Sequence, residues 1–257
     1  MTDLQIEHVV IQRPSPNCDA RVGHAGETVR MLVIHYTGMK TAAQALNRLC
    51  DSNAKVSAHY TIDEDGTIYQ HVPEARRAWH AGVSKWHAFD DINNISIGIE
   101  LVNPGHEFGY RPFPQAQISV LELVARDIVR RHKIFPCHVV GHSDVAPGRK
   151  KDPGELFDWA RLARVGVGMW PRPNFRATAL GTALDTASES GAVIELQAAL
   201  QTIGYDIIQD GVYGDKTCAV VRAFQRHFWQ GSVTGIACPV TLSLIGHISG
   251  LLASKQF

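Results

Sequence analysis

Arg30-Met31-Leu32-Val33-Ile34-His35-Tyr36-Thr37 is an apolar run rich in bulky and β-branched side chains, and it reads as a buried strand with His35 near its C-terminal end. A second such run, Ile95 to Val102, carries Glu100 between Ile99 and Leu101, and a third, at 138–141, ends against His142. Around them, Thr41 to Asp51 places Ala42, Ala45, Leu46 and Leu49 at helical spacing. Gln115 to Lys133 is the clearest helix, with Ile118, Leu121, Val124, Ala125, Ile128 and Val129 on one stripe. Val56 to Asp63 and Thr67 to Val72 are strand-like and are joined by Glu64-Asp65-Gly66, a hairpin turn because Asp-Gly accepts positive φ. Strands interleaved with helices, one hairpin included, predict an α/β domain whose mixed central sheet is flanked by helices.

From Pro171 the composition changes. Pro171-Arg172-Pro173 leads into an Ala/Thr/Ser-rich stretch without sustained period, so residues 171–190 read as a linker. Beyond it, residues 191–257 carry three helical patterns, Val193 to Ile203, Thr217 to Trp229 and Pro239 to Ala253, with the Gly-rich turn Asp210-Gly211-Val212-Tyr213-Gly214-Asp215 between the first two. The expected organisation is an α/β domain over 1–170 and a small all-α three-helix domain over 191–257.

The 257 residues are 45% hydrophobic and 19% charged, ordinary values for a globular protein with a substantial core. Lys plus Arg number 25 against 25 Asp plus Glu, and this balance disfavours a dedicated nucleic-acid binder. No apolar run approaches the roughly 18 to 20 residues of a membrane span. The first twenty residues lack a basic start and an apolar core of about 7 to 15 residues. The reading is therefore a cytoplasmic protein, or one already stripped of a signal and working in the cell envelope. Cys18, Cys50, Cys137, Cys218 and Cys238 are odd in number and widely spaced, without a C-x-x-C, and read as buried small apolar residues.

The chemistry gathers at strand ends, where open α/β sheets place their ligands. His35, Glu100 and His142 each interrupt an apolar run. The segment after the third strand, Gly141-His142-Ser143-Asp144-Val145-Ala146-Pro147-Gly148-Arg149-Lys150-Lys151-Asp152-Pro153-Gly154, sets aspartates and basic residues between Gly and Pro. A carboxylate inside an apolar strand is costly unless paired or metal-bound, so Glu100 either meets a core cation or does chemistry. Two histidines plus Asp152 match the three protein ligands of a catalytic zinc, with Asp144 a competing carboxylate. Glu100 would then be the base for a water, and Lys150 a fixed charge facing an oxyanion.

Val33-Ile34-His35-Tyr36-Thr37, Ser57-Ala58-His59-Tyr60, Ala78-Trp79-His80-Ala81-Gly82, Ser96-Ile97-Gly98-Ile99-Glu100 and the 141–154 segment together resemble the zinc-dependent N-acetylmuramoyl-L-alanine amidases of the AmpD/AmiD type. The resemblance spans roughly residues 28–165, with five separated motifs in the family's order. It implies Zn2+ held by His35, His142 and Asp152, with Glu100 and Lys150 catalytic. It also implies cleavage of the amide between N-acetylmuramic acid and L-alanine, in peptidoglycan or its fragments, and a fold shared with peptidoglycan recognition proteins. Trp79, His80 and His59 are expected to shape the substrate groove. Leu196-Gln197, Leu200, Gly204-Tyr205, Asp210-Gly211, Tyr213-Gly214, Thr217 and Phe224-Gln225 resemble the small peptidoglycan-binding domain of wall hydrolases, although Gly235 to Pro239 stands where a polar, aspartate-bearing turn is usual. The expectation is a monomeric, two-domain bacterial zinc amidase. The alternatives are a non-catalytic peptidoglycan receptor and a zinc peptidase or endolysin cutting another amide.

Overall fold

In the computed structural model, which describes residues 10–22, 29–188 and 190–254, the first element pair is β1 (Val10–Gln12) and β2 (Cys18–Ala20). Next come β3 (Met31–Tyr36), α1 (Ala42–Cys50), β4 (Tyr60–Ile62), β5 (Ile68–Gln70), β6 (Arg76–Ala78), α2 (Ile92–Ile95) and β7 (Ser96–Leu101). The α/β part is completed by α3 (Gly105–Phe108), α4 (Gln115–His132), β8 (Val139–Gly141), α5 (His142–Val145) and α6 (Trp159–Arg164). Three helices close the chain: α7 (Ser190–Ile203), α8 (Asp215–Phe228) and α9 (Pro239–Ala253).

The three apolar runs are neighbours in a six-stranded sheet of order β1-β5-β4-β7-β3-β8. β3 runs parallel to both β7 and β8, β7 parallel to β4, and the β4–β5 hairpin is antiparallel, so the sheet is mixed as expected. β2 and β6 form a separate two-stranded ribbon. Side chains alternate across each strand. Leu32, Ile34, Ile97, Ile99 and Leu101 face α4, where they pack with Ile118, Leu121, Ala125 and Ile128. Complete burial of a Leu or Ile of this kind stabilises by about 1.5–3 kcal/mol. The helix stops at Lys133, whose left-handed backbone (φ 51°) returns its N–H to the Val129 carbonyl; Arg130, Arg131 and His132 sit in its last turn, favourably placed at the negative end of the helix.

The opposite sheet face takes a different cover. Met31, Val33 and Val140 join one apolar cluster with Trp86, Leu200, Ile203, Tyr205, Phe224 and Phe228, so the C-terminal helices lie against the α/β part. Among these helices a device repeats. The buried Gln197 accepts from Gly211 N at 3.0 Å and donates to Val212 O and Thr217 Oγ1. Gln225 likewise accepts from Gly235 N at 2.9 Å and donates to Ile236 O and Thr241 Oγ1. The unusual 235–239 turn is thus built by the same amide chemistry as the 210–215 turn.

Within 171–190, Phe175, Ala177 and Leu184 pack on the helical cluster and Leu184 pairs with Ala237. Two readings change. The segment after β8 turns at once into α5, where a loop was expected. The five cysteines are free and half-buried rather than core residues. Among the described residues no helix is long and apolar enough to cross a membrane.

Candidate active site

Strand register assembles the site. Parallel pairing sets Met31, Val33 and His35 beside Ser96, Gly98 and Glu100, so His35 and Glu100 are direct neighbours on one sheet face. On the other flank Ile34 pairs with Gly141, which brings His142 out immediately beyond β8. The following loop returns Asp152 to the same place, held by Ser143 N donating to Asp152 O at 2.9 Å. His35, His142 and Asp152 are all buried, and together they form a group able to hold a metal ion.

The hydrogen bonds fix where the protons are. Ser96 Oγ donates to Ile92 O at 2.5 Å, so it accepts from His80 Nε2, 3.1 Å away. His80 Nδ1 is left as an acceptor for His35 Nε2–H at 3.0 Å. His142 Nε2–H in turn donates to Ala81 O at 3.0 Å. Both rings therefore present a bare Nδ1. These two atoms and Asp152 Oδ2 are each 3.0 Å from the other two. Two lone pairs and a carboxylate oxygen so placed make a donor set able to hold a cation at their centre. The spacing is close to the about 3.3 Å edge of a tetrahedron with metal–nitrogen bonds near 2.05 Å. Backbone and neighbouring-ring acceptors behind each ligand histidine are the usual means of orienting it.

Electrostatics agree with that assignment. Burial, and then the neighbouring His142, lower the His35 imidazole to about 4, so it is neutral at physiological pH. Burial pushes the Asp152 carboxyl up, but the adjoining His142 and His35 rings outweigh it and leave Asp152 well below the usual carboxylate range. Glu100 moves the other way: burial, with Asp152 adding to it, raises it well above its ordinary value, and Lys150 offsets only part. Its Oε2 is buried with no hydrogen-bond partner. The core cation that could have neutralised it is absent among the described residues, and Lys150 acts on it from the cavity wall.

His35's neighbours Glu100, His142 and Asp152 open into a cavity of about 490 Å³, also lined by Tyr36, Arg48, His80, Arg149, Lys150 and Lys151. Arg149 spans its rim, donating to Ala81 O and Val83 O at 2.7 Å each. The residues expected on the groove have different surroundings. His80 touches the cavity, yet both ring nitrogens are committed to His35 and Ser96. His59 is fully buried behind it and does not line the cavity. There its Nδ1 accepts from Gly98 N at 3.0 Å and its Nε2 lies 3.0 Å from Arg76 O, with the Arg21 guanidinium 2.9 Å away. Trp79 is half-buried and off the cavity wall, its backbone N–H held by Ser57 Oγ at 2.9 Å. His106, which the sequence does not single out, sits on the wall, bonded to Tyr36 OH at 2.8 Å and Glu155 at 3.1 Å. Asp144 is no ligand; its oxygens are used elsewhere.

Comparison with known proteins places this site in a family. The sequence profile of N-acetylmuramoyl-L-alanine amidases matches residues 25–155, and that of a putative peptidoglycan binding domain matches residues 189–245. The chain is 40% identical over 215 residues to N-acetylmuramoyl-L-alanine amidase AmiD of Escherichia coli, covering 78% of this chain and 75% of that protein. It is 42% identical over 111 residues to the 1,6-anhydro-N-acetylmuramyl-L-alanine amidase AmpD of the same organism, covering 43% of this chain and 58% of AmpD. The structure of E. coli AmiD with the substrate anhydro-N-acetylmuramic acid-L-Ala-D-gamma-Glu-L-Lys superposes with a TM-score of 0.75 at 35% identity, over 93% of this chain and 94% of that one. The chain belongs to the N-acetylmuramoyl-L-alanine amidase family.

Proposed function

We propose that this protein is a zinc amidase that hydrolyses the bond between the lactyl group of N-acetylmuramic acid and the L-alanine of the stem peptide, with 1,6-anhydro-muropeptides as substrate. The observation that carries the reading is the convergence of two proton-free Nδ1 atoms and Asp152 Oδ2 beside a buried, unpartnered Glu100 oxygen. AmiD and AmpD, both amidases by name, support the bond, and the AmiD complex supports the anhydro substrate.

His35, His142 and Asp152 would hold the metal beside the cavity. Zinc there would supply a Lewis acid, making a water more acidic and polarising the carbonyl under attack. Glu100 takes the proton of the attacking water on its carboxylate. Its raised affinity for protons lets it keep that proton and deliver it to the departing L-alanine nitrogen. Lys150 brings a fixed ammonium to the carbonyl oxygen as it becomes negative. Arg48, Arg149 and Lys151 on the cavity wall suit the carboxylates of a stem peptide. Residues 1–170 form the catalytic domain and 191–257 the peptidoglycan-binding-like domain in this reading.

Mass spectrometry of the products from a purified 1,6-anhydro-muropeptide tests it. Release of a free stem peptide beginning with L-alanine is expected. A cut within the peptide would reassign the bond, and binding without any cut by zinc-loaded protein would favour a receptor.

A further inference from the structure

Asp144 lies two residues beyond His142, and its side chain, in a residue only 1% exposed, does not line the cavity. Its Oδ2 accepts from Gly141 N at 2.7 Å and from His227 Nδ1 at 2.8 Å, and its Oδ1 accepts from Tyr205 OH at 2.8 Å. The first of these bonds closes the turn from which α5 and His142 start. The other two donors, Tyr205 just beyond α7 and His227 on α8, come from the C-terminal unit, 61 and 83 residues further along the chain. Both donors are themselves held. His227 lies flat between Trp159 (3.9 Å, 13°) and Phe228 (4.1 Å, 15°). Tyr205 meets the Trp86 ring edge-on at 5.0 Å, and Trp86 Nε1 donates to Cys137 O just ahead of β8.

A carboxylate removed from water needs donors in place of its hydration shell, and here two of the three come from the helical unit. We infer that this unit is a working part of the metal centre: Tyr205 and His227 hold Asp144, and Asp144 holds the Gly141–His142 turn that presents the ligand nitrogen. Tyr205, His227 and Asp144 are thus positioning residues for His142. This role is separate from any contact the helices make with glycan. It rests on the reading of His142 as a metal ligand; the amidase activity itself enters only through the turnover measurement, because metal binding is read without substrate.

The test uses the full chain carrying Tyr205→Phe and His227→Phe, which keep the ring packing and remove both donors. Competition between protein and a chromogenic chelator for Zn2+ gives affinity, the visible spectrum of Co2+-substituted protein gives ligand geometry, and turnover gives kcat and KM. A weakening of zinc affinity by about 10- to 100-fold is expected, the range for groups that orient metal ligands. An altered cobalt band and a fall in kcat at unchanged KM should accompany it. Asp206→Ala serves as the control: it removes the side-chain ion pairs of Asp206 with Lys85 (3.0 Å), across the same two units, and with Lys216, none of which involves an Asp144 oxygen, and should leave zinc affinity unchanged. Zinc affinity within twofold of the parent protein in the folded double variant would overturn the assignment, and so would an equal loss in Asp206→Ala. If the double variant does not fold, Tyr205→Phe alone should weaken zinc by at least about threefold, and no change there would also overturn it.

Discussion

Replacing His80 by Phe should weaken the metal site without touching a ligand. The ring of His80 accepts from His35 Nε2–H at 3.0 Å and passes its own Nε2–H to Ser96 Oγ at 3.1 Å. That chain ends on the Ile92 carbonyl, so it can run in one direction only, and it keeps His35 Nδ1 bare. Phe fills the same space and accepts nothing. The His35 Nε2–H, in a residue 1% exposed, then has no acceptor and no water, a loss of about 1–3 kcal/mol. At 1.4 kcal/mol per tenfold this corresponds to roughly 5- to 140-fold in zinc affinity, which spans the 10- to 100-fold typical of groups that orient metal ligands. Chelator competition at neutral pH measures it directly. His80→Asn, whose carbonyl oxygen can stand near the position of Nδ1, should recover most of the loss. Zinc affinity of His80→Phe within twofold of the parent protein would refute the reasoning that fixes the His35 tautomer.

Other expectations follow from the same geometry. Glu100→Gln should keep stoichiometric zinc and lose about 100- to 10,000-fold in kcat, since it removes the base and leaves the ligands; turnover near the parent level would assign the proton transfer elsewhere. Gly98→Ala puts a Cβ about 2.5 Å from the His80 ring, so it should cost about 1–3 kcal/mol of stability and weaken zinc together, read by urea unfolding and chelator competition. Stability should fall in acid partly through His59, which accepts from Gly98 N and lies beside Arg21. Burial, then the Arg21 charge, lower it from 6.5 to about 3, so below pH 6.5 the unfolded chain takes up a proton that the folded one refuses. The contribution is whole above pH 6.5 and about 2 kcal/mol of it is gone by pH 5, at 1.36 kcal/mol per unit. Urea unfolding of metal-free His59→Asn at pH 7 and pH 5 should show a drop smaller by that amount, and an equal drop in both proteins would contradict it.

How far the sequence reaches depends on how local the cause is. β3, β7 and β8 announce themselves because each is a continuous apolar run, and the polar residues ending them are the ones that converge. α4 and the three C-terminal helices follow from apolar periodicity over many residues. β1, β2 and β6 do not, since three-residue strands with side chains mostly exposed or half-exposed owe their form to a partner strand rather than to their own pattern. The depth of a histidine is equally invisible. His80 and His59 sit in motifs beside the site, but they lie behind His35 because Gly98 leaves room for a ring on the sheet face, and nothing in the composition of β7 distinguishes that glycine. Asp144 is legible only as a second carboxylate near the ligands; its partners are not, because Tyr205 and His227 lie 61 and 83 residues away in a unit whose own core accounts for them equally well.

In the proposed mechanism one cation held by His35, His142 and Asp152 makes this chain an amidase. Titrating metal-free protein with Zn2+ while following release of L-alanine-headed stem peptide from a 1,6-anhydro-muropeptide tests it most directly. Activity should be absent at the start, rise in proportion to zinc, and level off at one equivalent in the parent protein, with no such rise in His142→Ala. Undiminished cleavage by the metal-free protein, or the same titration curve from His142→Ala, would contradict the account.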